Sequence, residues 1–283
     1  MGLYLNNHEG YPKAQIAKAL GFSRSNFYHQ SKLEGKDKEL VKKIEYWHRI
    51  DDTLGYKKLA VLAQTSKNRV RRVMKKYGLS ARWKKKRYRH HSKSSTTYPN
   101  LANDEDRAKP YQDIFFSDIF EFKIGEGVSL STLRGCFALR KQTRQVNSLV
   151  FSHGIASNLV QVTLGRITKL KSGAYIWHSD QGRQYGAKAT EAQAKKLGMD
   201  LSMSRAGTPT DNPFAERFVR TFKHAVCNRR KYQTLGEFLK AAGEWIDFYN
   251  KLRPHEGIGN ISPNNRAVEL GVEKVFRIRP FCV

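Results

Sequence analysis

The chain has 283 residues, of which 39% are hydrophobic, and this content is sufficient for two or three small domains and argues against disorder throughout. Lys and Arg number 52 against 25 Asp and Glu, so the formal net charge is +27. This excess favours a polyanionic partner, with nucleic acid first and an anionic membrane surface second. No apolar run approaches the roughly 20 residues that span a bilayer, and no signal peptide is recognisable, so we expect a cytoplasmic protein. The three cysteines are widely spaced, which argues against a disulfide framework or a paired-cysteine zinc site.

Two helical pairs are predicted in the first hundred residues. Residues 13–20 carry apolar side chains at helical spacing, Gly21 ends that helix, and Ser23 can cap a second one. Another pair is predicted over 56–62 and 67–77, with an apolar stripe on the latter helix and basic residues on its remaining surface. Both pairs have the pattern of a helix-turn-helix, although many short helical hairpins bind no nucleic acid.

Basic residues concentrate around the second helical pair. The stretch 53–103 contains 15 basic residues and no acidic one, and its run at 82–91 includes two aromatic residues. A solvated charge run or linker is the plainer interpretation, but surfaces stabilised by ion pairs mix both signs of charge, so we favour DNA contact. The residues selected as DNA contacts are Arg69, Arg71, Arg72, Arg82, Lys84, Lys85, Lys86 and Arg87.

An α/β domain is predicted after a polar linker at 92–110. Its apolar strand candidates are 114–122, 133–139, 146–151 and 174–177, with a helix over about 155–170 before the last of them.

Three carboxylates in this domain lie at informative positions. Asp118 interrupts an apolar strand, Asp180 follows the end of another, and Glu216 lies at the start of a helix. Taken singly, each has an ordinary explanation as a strand acid with a partner, a turn cap or a helical ion pair. Brought together, they would repel one another unless hard divalent cations such as Mg²⁺ neutralised them. Two such ions can activate an attacking oxygen and stabilise the leaving oxygen of a phosphodiester.

The helix that begins near Glu216 has two distinct faces. Phenylalanines at i, i+4 and i+8 form its apolar stripe, and Asp211 or Asn212 can cap it. Glu216, Arg220 and Lys223 share another face, which places two cations in line with the carboxylate, where they could hold phosphates.

The spacing of the three acids resembles that of the Asp-Asp-Glu transposases and retroviral integrases, because 35 residues separate Asp180 from Glu216. Local sequence resembles the bacterial insertion-sequence transposases whose catalytic reading frame is the second of two joined by frameshifting. The resemblance extends over about residues 10–268. The segments that carry it are 54–59, 69–74, 178–185, 202–207, 211–218 and 249–255.

This resemblance implies a ribonuclease-H-like integrase core, a mixed five-stranded sheet flanked by helices, preceded by an all-α helix-turn-helix region. It implies Asp118, Asp180 and Glu216 as catalytic ligands of two Mg²⁺ ions, for which Mn²⁺ substitutes. Lys223 matches the family's basic residue at the terminal DNA, whereas His178 and Asn212 match flanking positions that orient the carboxylates or the DNA or serve the fold alone. The implied domains are helix-turn-helix-like helices at 1–50, a DNA-binding domain at 51–91, a linker at 92–110, the catalytic domain at 111–268 and a tail at 269–283.

The expected partners are double-stranded DNA, as transposon ends and target, and further copies of the chain, at least a dimer. Two departures from the family pattern bear on these expectations: residues 139–144 lack its acidic and aromatic residues, and the chain has no heptad segment like that of the upstream frame. An upstream-frame partner or fusion is therefore possible. The alternatives are a catalytically inactive DNA-binding accessory or domesticated transposase, and a ribonuclease of the same fold.

Overall fold

A computed structural model describes residues 11–21, 23, 25, 32–83, 97–108, 111–125, 131–153, 158–167, 173–275 and 280–282. The chain divides into two compact units, one up to Lys43 and one from Ile44 onward. None of the helices in the described ranges is long and apolar enough to cross a membrane.

The first unit contains helix α1, Lys13–Ala19, and the beginning of α2, Lys32–Ile50. Ile16 and Ala17 of α1 are buried, so the helix predicted over 13–20 is confirmed. The second helix expected after Gly21 lies outside the described residues.

The second unit begins with the end of α2 and the helical pair α3, Tyr56–Leu62, and α4, Lys67–Lys76. The Ser66 hydroxyl caps α4 by accepting a hydrogen bond from the Arg69 amide at 3.3 Å. The apolar stripe of α4 is buried, as its spacing predicts. This unit joins the second helical pair to the α/β domain, and the domain limits expected from the sequence remain predictions.

One mixed sheet forms the centre of the second unit, and its strand order is β6-β5-β1-β3-β4-β7, with β2 also paired to β3. Strands β1 and β2 both pair antiparallel with β3, so they are two halves of one strand interrupted at Ser117 and Asp118. The five expected strands are therefore present, and the two-residue β7 adds a sixth at the edge. The strands are β1 Asp113–Phe116, β2 Ile119–Ile124, β3 Ser131–Arg140, β4 Val146–Ser152, β5 Tyr175–Ser179, β6 Met199–Met203 and β7 Phe281–Cys282.

Helices cover both faces of this sheet because its strands are apolar on both sides. Phe115 and Cys136 face a core shared with α6. Phe137 points to the opposite face, where its ring lies 4.4 Å from that of Phe218 in α8. The helices of the domain are α5 Glu105–Ala108, α6 Leu159–Gly165, α7 Lys188–Lys196, α8 Pro213–Phe222, α9 Leu235–Lys251 and α10 Pro263–Glu269.

Helix α6 begins after Asn158 and ends before Arg166, so it is shorter than the helix expected over about 155–170. Residues 154–157 and 168–172 lie outside the described residues. A π-helical turn, Lys223–Cys227, continues α8.

Buried polar contacts join the helical pair to the sheet domain within the second unit. The Arg253 guanidinium donates to the Asp51 carboxylate at 2.8 Å, and both side chains are almost fully buried. Arg229 donates to the backbone carbonyls of Ile50 and His48 at 2.7 and 3.0 Å. The loop between α2 and α3 is therefore fixed to residues that follow α8 and α9.

Candidate active site

Asp118 and Asp180 lie at the same edge of the sheet because they follow parallel strands in register. Phe116 at the end of β1 pairs with His178 in β5. Two residues further along each strand, the same parallel register puts Asp118 opposite Asp180. The Ser117 amide donates to the His178 carbonyl at 2.9 Å and holds the two strands together at this point. The sheet thus brings together two acids that are 62 positions apart in the sequence.

Asp118 interacts electrostatically with both of the other acids. Loss of solvation raises the pKa of Asp118 to about 8, and repulsion from Asp180 and, less strongly, from Glu216 adds to the effect. Attraction to Lys223 acts in the opposite direction. The Asp118 carboxyl is therefore largely protonated near neutral pH.

Glu216 reaches the site from α8, whose start is tied to the interrupted strand. Asn212 occupies the N-cap position of α8, yet its side chain does not cap the helix. Its amide instead donates to the Ser117 carbonyl at 2.9 Å, next to Asp118, and Asn212 is buried. The capping role expected for Asn212 is therefore wrong, because the interrupted strand offers a carbonyl that β-pairing has left available.

Asp211, the other expected cap, organises the loop before α8. It is buried and accepts hydrogen bonds from the Arg205 backbone and guanidinium at 2.9 to 3.0 Å. Asn100 and Asn103 donate to the same carboxylate at 3.0 Å. The Arg205 guanidinium holds the pKa of Asp211 well below its ordinary range. Neither asparagine could be selected from the sequence, because both lie more than a hundred positions from Asp211.

Lys223 lies beside the acids in the π-helical turn that continues α8. Its ammonium lies 5.7 Å from the centre of the Phe120 ring, and Phe120 is the second residue after the Asp118 position in β2. Its attraction lowers the pKa of Asp118. The structure therefore places Lys223 near Asp118.

Buried polar groups support the site from below. The Ser117 hydroxyl lies 3.0 Å from the Tyr185 hydroxyl and 3.4 Å from the Cys136 sulfur. Burial raises the pKa of Tyr185 well above its usual value, so this hydroxyl stays protonated. The Gly182 amide donates to the Asp180 carboxylate at 3.1 Å and fixes its orientation. Ser117, Cys136, Gly182 and Tyr185 were not selected from the sequence as site residues, because nothing in their spacing relates them to Asp118.

His178 is fully buried, and its two ring nitrogens lie 2.8 and 3.1 Å from the hydroxyls of Ser202 and Ser204. Burial lowers its pKa to about 4, so the ring is neutral at physiological pH. The ring therefore links β5 to β6 and to Ser204, the residue that follows β6.

Arg220 lies on an exposed part of α8 next to the start of the basic run. Its guanidinium lies 5.6 Å from the centre of the Trp83 ring, and the His224 ring lies 5.3 Å from the same indole. The Arg82 amide donates to the Asp52 carbonyl at 2.9 Å. The basic run therefore starts against the helix that carries Glu216.

The other expected DNA contacts are divided between α4 and the basic run. Arg71 and Arg72 are exposed on α4, whereas Arg69 is partly buried. Arg82 is exposed. The remaining expected contacts, Lys84, Lys85, Lys86 and Arg87, lie outside the described residues.

The segment 139–144, where the chain departs from the family pattern, has its own ion pair. Arg140 donates to the buried Asp113 carboxylate at 2.6 Å, and the Gln142 amide donates to the same carboxylate at 3.2 Å. Arg144 adopts a φ of 63° and lies 4.0 Å from the centre of the Phe214 ring. The segment therefore turns back toward α8 without an acidic residue of its own.

The donor set at the site fits a hard divalent cation. Asp118, Asp180 and Glu216 offer only carboxylate oxygens, and their mutual repulsion raises the pKa of Asp118. Within the part of the chain that the structure describes, no three acidic, His or Cys side chains are gathered closely enough to form a ready metal site.

Comparison with known proteins finds similarity to an integrase core domain and to insertion-sequence transposases. An integrase core domain model matches residues 197–263, which include Glu216 and Lys223. The putative transposase of insertion sequence element IS150 from Escherichia coli is 28% identical over 266 residues, 89% of this chain and 92% of that protein. The transposase of element IS904 from Lactococcus lactis is 28% identical over 215 residues, 71% of this chain and 80% of that protein. The catalytic core of bovine immunodeficiency virus (BIV) integrase covers 55% of this chain and 95% of its own, with a TM-score of 0.41 and 16% identity.

The segment that matches the integrase core domain model contains Glu216 and lies in the domain built on the mixed sheet. Over most of its length the chain is similar to insertion-sequence transposases.

Proposed function

We propose that this protein is a DNA transposase that binds the terminal inverted repeats of its own insertion sequence and catalyses metal-dependent DNA strand cleavage and strand transfer. The observation that carries the proposal is the electrostatic coupling of Asp118 to Asp180 and Glu216 where two parallel strands end. Carboxylates gathered in this way are suited to phosphodiester chemistry rather than to stabilising the fold, because repulsion between them opposes folding.

The three carboxylates would hold two Mg²⁺ ions, for which Mn²⁺ substitutes. These ions, when bound, supply the Lewis acidity that activates the attacking oxygen and stabilises the leaving oxygen. Two hydrogen bonds would orient these ligands in the metal-free protein. The Gly182 amide holds the Asp180 carboxylate, and the Asn212 amide holds the Ser117 carbonyl next to Asp118.

The reaction consists of two successive displacements at phosphorus. Water first cleaves a phosphodiester at the element end and leaves a free 3′ hydroxyl, and that hydroxyl then attacks a phosphodiester of the target strand. Lys223 would contact the phosphate that lies against the acids, since its ammonium already interacts with Asp118. No side chain needs to form a covalent bond to DNA.

DNA binding beyond the acids would use the exposed cations of the second unit. Arg220 on α8 and the exposed arginines of α4 would contact phosphates, and the basic run would continue that surface. We assign His178 and Asn212 a positioning role, because both are buried. Joining two element ends to one target requires at least a dimer.

The test is a cleavage and joining assay on labelled duplex DNA that carries the element's terminal repeats, in Mg²⁺. The wild-type chain should yield nicked and strand-joined products, and Glu216→Gln should lose at least about a hundredfold in rate. Glu244→Gln is the matched control, because it makes the same change at an exposed position of α9 and should retain wild-type activity.

Equal activity of Glu216→Gln and wild type would overturn the assigned chemistry. Binding of the duplex by wild type without any product, over a wide range of metal concentrations and with the upstream-frame protein supplied, would favour the DNA-binding accessory instead. Cleavage of an RNA/DNA hybrid with duplex DNA left intact would favour a ribonuclease.

A further inference from the structure

A second group of charged side chains lies in the second unit, apart from the three acids. It combines residues from the helical pair, the turn after β3, α8 and the segment after α9. We call it the basic junction, and it consists of Lys58, Arg144, Arg217, Arg253 and His255. The ion pairs Lys57–Glu256 and Asp51–Arg253, at 2.9 and 2.8 Å, hold the start of α3 and the loop before it against the segment after α9.

Two carboxylates lie near the basic junction, and each already has a cationic partner. Asp51 is paired with Arg253 at 2.8 Å, and Glu256 is paired with Lys57 at 2.9 Å. Among the described residues, neither Lys58 nor Arg217 forms an ion pair with any carboxylate. The positive charge of the junction is therefore only partly compensated.

The cations of the junction are close enough to affect one another. Burial, followed by repulsion from Arg253 and Arg217, lowers the pKa of Lys58 to about 7. Burial also lowers the pKa of Arg144, and repulsion from Arg217 adds to this. Charges of one sign held this close raise the free energy of the folded protein, and an anion placed among them would lower it.

His255 supplies an unused polar atom at the same place. Its Nε2 atom is buried and has no hydrogen-bond partner among the residues that the structure describes, and the His255 ring packs edge-on at 4.6 Å against Tyr249. A buried nitrogen without a partner costs about 1–3 kcal/mol, so such atoms usually mark a missing ligand or water. Burial and the surrounding cations, Arg253 and Lys58 above all, lower the pKa of His255 well below its usual value. As a neutral ring it can still donate one hydrogen bond from Nε2.

We propose that the basic junction is a second phosphate-binding site, which takes one backbone phosphodiester of the DNA through Lys58, Arg217 and the Nε2 atom of His255. The inference rests on the proposed function for the identity of the partner as DNA. Arg217 directly follows Glu216, and successive helical residues point about 100° apart, so α8 presents one residue to the acids and the next to the junction. A strand held at the junction would thus be fixed relative to the acids by a rigid helix, with Lys58 adding a contact from the helical pair.

Arg144 would shape this site rather than bind in it. Its guanidinium is engaged by the Lys141 carbonyl and by the face of the Phe214 ring at 4.0 Å. Arg253 is likewise committed to Asp51. Both contribute positive potential, whereas Lys58 and Arg217 retain donors for a ligand.

The experiment measures equilibrium binding of the full chain to a labelled element-end duplex without divalent metal, so that no cleavage occurs. Lys58→Met and Arg217→Gln should each weaken binding about tenfold and reduce the slope of log K against log salt by about 1. Lys240→Gln is the matched control: it removes one charge from an exposed position of α9 and should change binding less than about twofold. Melting curves verify that each variant is folded. Because Arg217 is exposed, its substitution should disturb the fold less than that of the partly buried Lys58.

Binding of both variants that is no weaker than that of Lys240→Gln would overturn the proposal. A second arm adds inorganic phosphate and follows the His255 ring by NMR. A shift of His255 with phosphate, combined with unchanged DNA affinity in the variants, would mean that the site takes a free anion and would also overturn the DNA assignment. Failure of the proposed catalysis would be seen separately, as absent products in Mg²⁺ with the binding difference intact.

Discussion

Asp118 lies where a charged carboxylate destabilises the folded protein. It stands in the interruption of the first strand, where loss of solvation and repulsion from Asp180 raise its pKa to about 8. Between about pH 4 and about pH 8, Asp118 is therefore protonated in the folded protein but ionised in the unfolded chain. The associated stability is complete below the unfolded pKa and is lost as the pH rises through the folded pKa.

Asp118→Asn should accordingly stabilise the metal-free protein, because the amide has no charge to desolvate. The melting temperature of the variant should exceed that of wild type by several degrees at about pH 9 and by much less at about pH 5. Thermal melts in a chelating buffer at the two pH values measure this difference. A gap of equal size at both pH values would contradict the assigned electrostatics, and the variant should be inactive throughout.

Proton release should also accompany metal binding at Asp118. Since a protonated carboxyl cannot coordinate a cation, the Mg²⁺ concentration for half-maximal activity should fall up to about tenfold per pH unit below the pKa of Asp118 and level off above it. Activity titrations with Mg²⁺ between about pH 6 and about pH 9 test this. A half-maximal concentration that is independent of pH would show that Asp118 is already ionised in the metal-free protein.

Asn212 positions α8 by its hydrogen bond to the Ser117 carbonyl. Asn212→Ala should reduce the strand-cleavage rate at least about tenfold while duplex affinity stays within about twofold, because the bond orients carboxylates rather than binding DNA. Asn100→Ala is the control, since it removes a comparable amide bond to Asp211 without touching the interrupted strand. Equal losses of rate in the two variants would mean that Asn212 acts through general stability alone.

At the scale of elements, helix α8 carries much of the organisation of the domain. Its apolar face, including Phe218 and Phe222, packs on the sheet and on Trp245 of α9. Its other residues supply Glu216 to the acids and Arg217 to the basic junction. The π-helical turn at its end keeps Lys223 beside Phe120. Because the helix is anchored by large aromatic side chains, its polar residues are held in fixed directions.

The loop between α2 and α3 is fixed to the end of α9 by the buried Asp51–Arg253 pair. Burial by itself would raise the pKa of Asp51, but the Arg253 guanidinium holds that pKa below its ordinary value. Asp51→Asn leaves a buried guanidinium without a counter-charge and should destabilise the protein by about 3–5 kcal/mol. Chemical denaturation measures this loss.

Lys57→Gln is the matched comparison, because it breaks an exposed ion pair with Glu256 in the same region and should cost no more than about 1 kcal/mol. Similar effects of the two substitutions would show that the Asp51–Arg253 pair does not fasten the helical pair to the domain.

At the scale of the whole molecule, the net charge of +27 sets the behaviour toward DNA. The affinity for duplex DNA should fall about a thousandfold or more between about 50 and about 200 mM salt, as expected for six or more phosphate contacts. Arg71→Gln should reduce the slope of log K against log salt by about 1, because Arg71 is exposed on α4. Lys195→Gln, on α7, should leave the slope unchanged. Equal slopes for Arg71→Gln and wild type would exclude α4 from the DNA-binding surface.

Much of the architecture could be predicted from local patterns. Strands 133–139 and 146–151 and helices 56–62 and 67–77 were within a few residues of the observed elements, because apolar periodicity reports directly which face is buried. The spacing of the acids and the motifs around them indicated the family. The sequence predicted one strand over 114–122 with Asp118 as an interruption, and the division into β1 and β2 depends on contacts with β3, β5 and Asn212.

The sequence by itself determined the chemistry that is available: three carboxylates, a large excess of cations and the order of strands and helices. These features are local or additive, so they can be read from the chain. Only the tertiary structure decided that Asn212 ties α8 to the interrupted strand, that His178 is buried and neutral, and that Lys58 and Arg217 share a junction with the unpartnered nitrogen of His255. Such contacts join residues tens to hundreds of positions apart, and no local periodicity records them because their partners are set by the packing of the sheet and its helices.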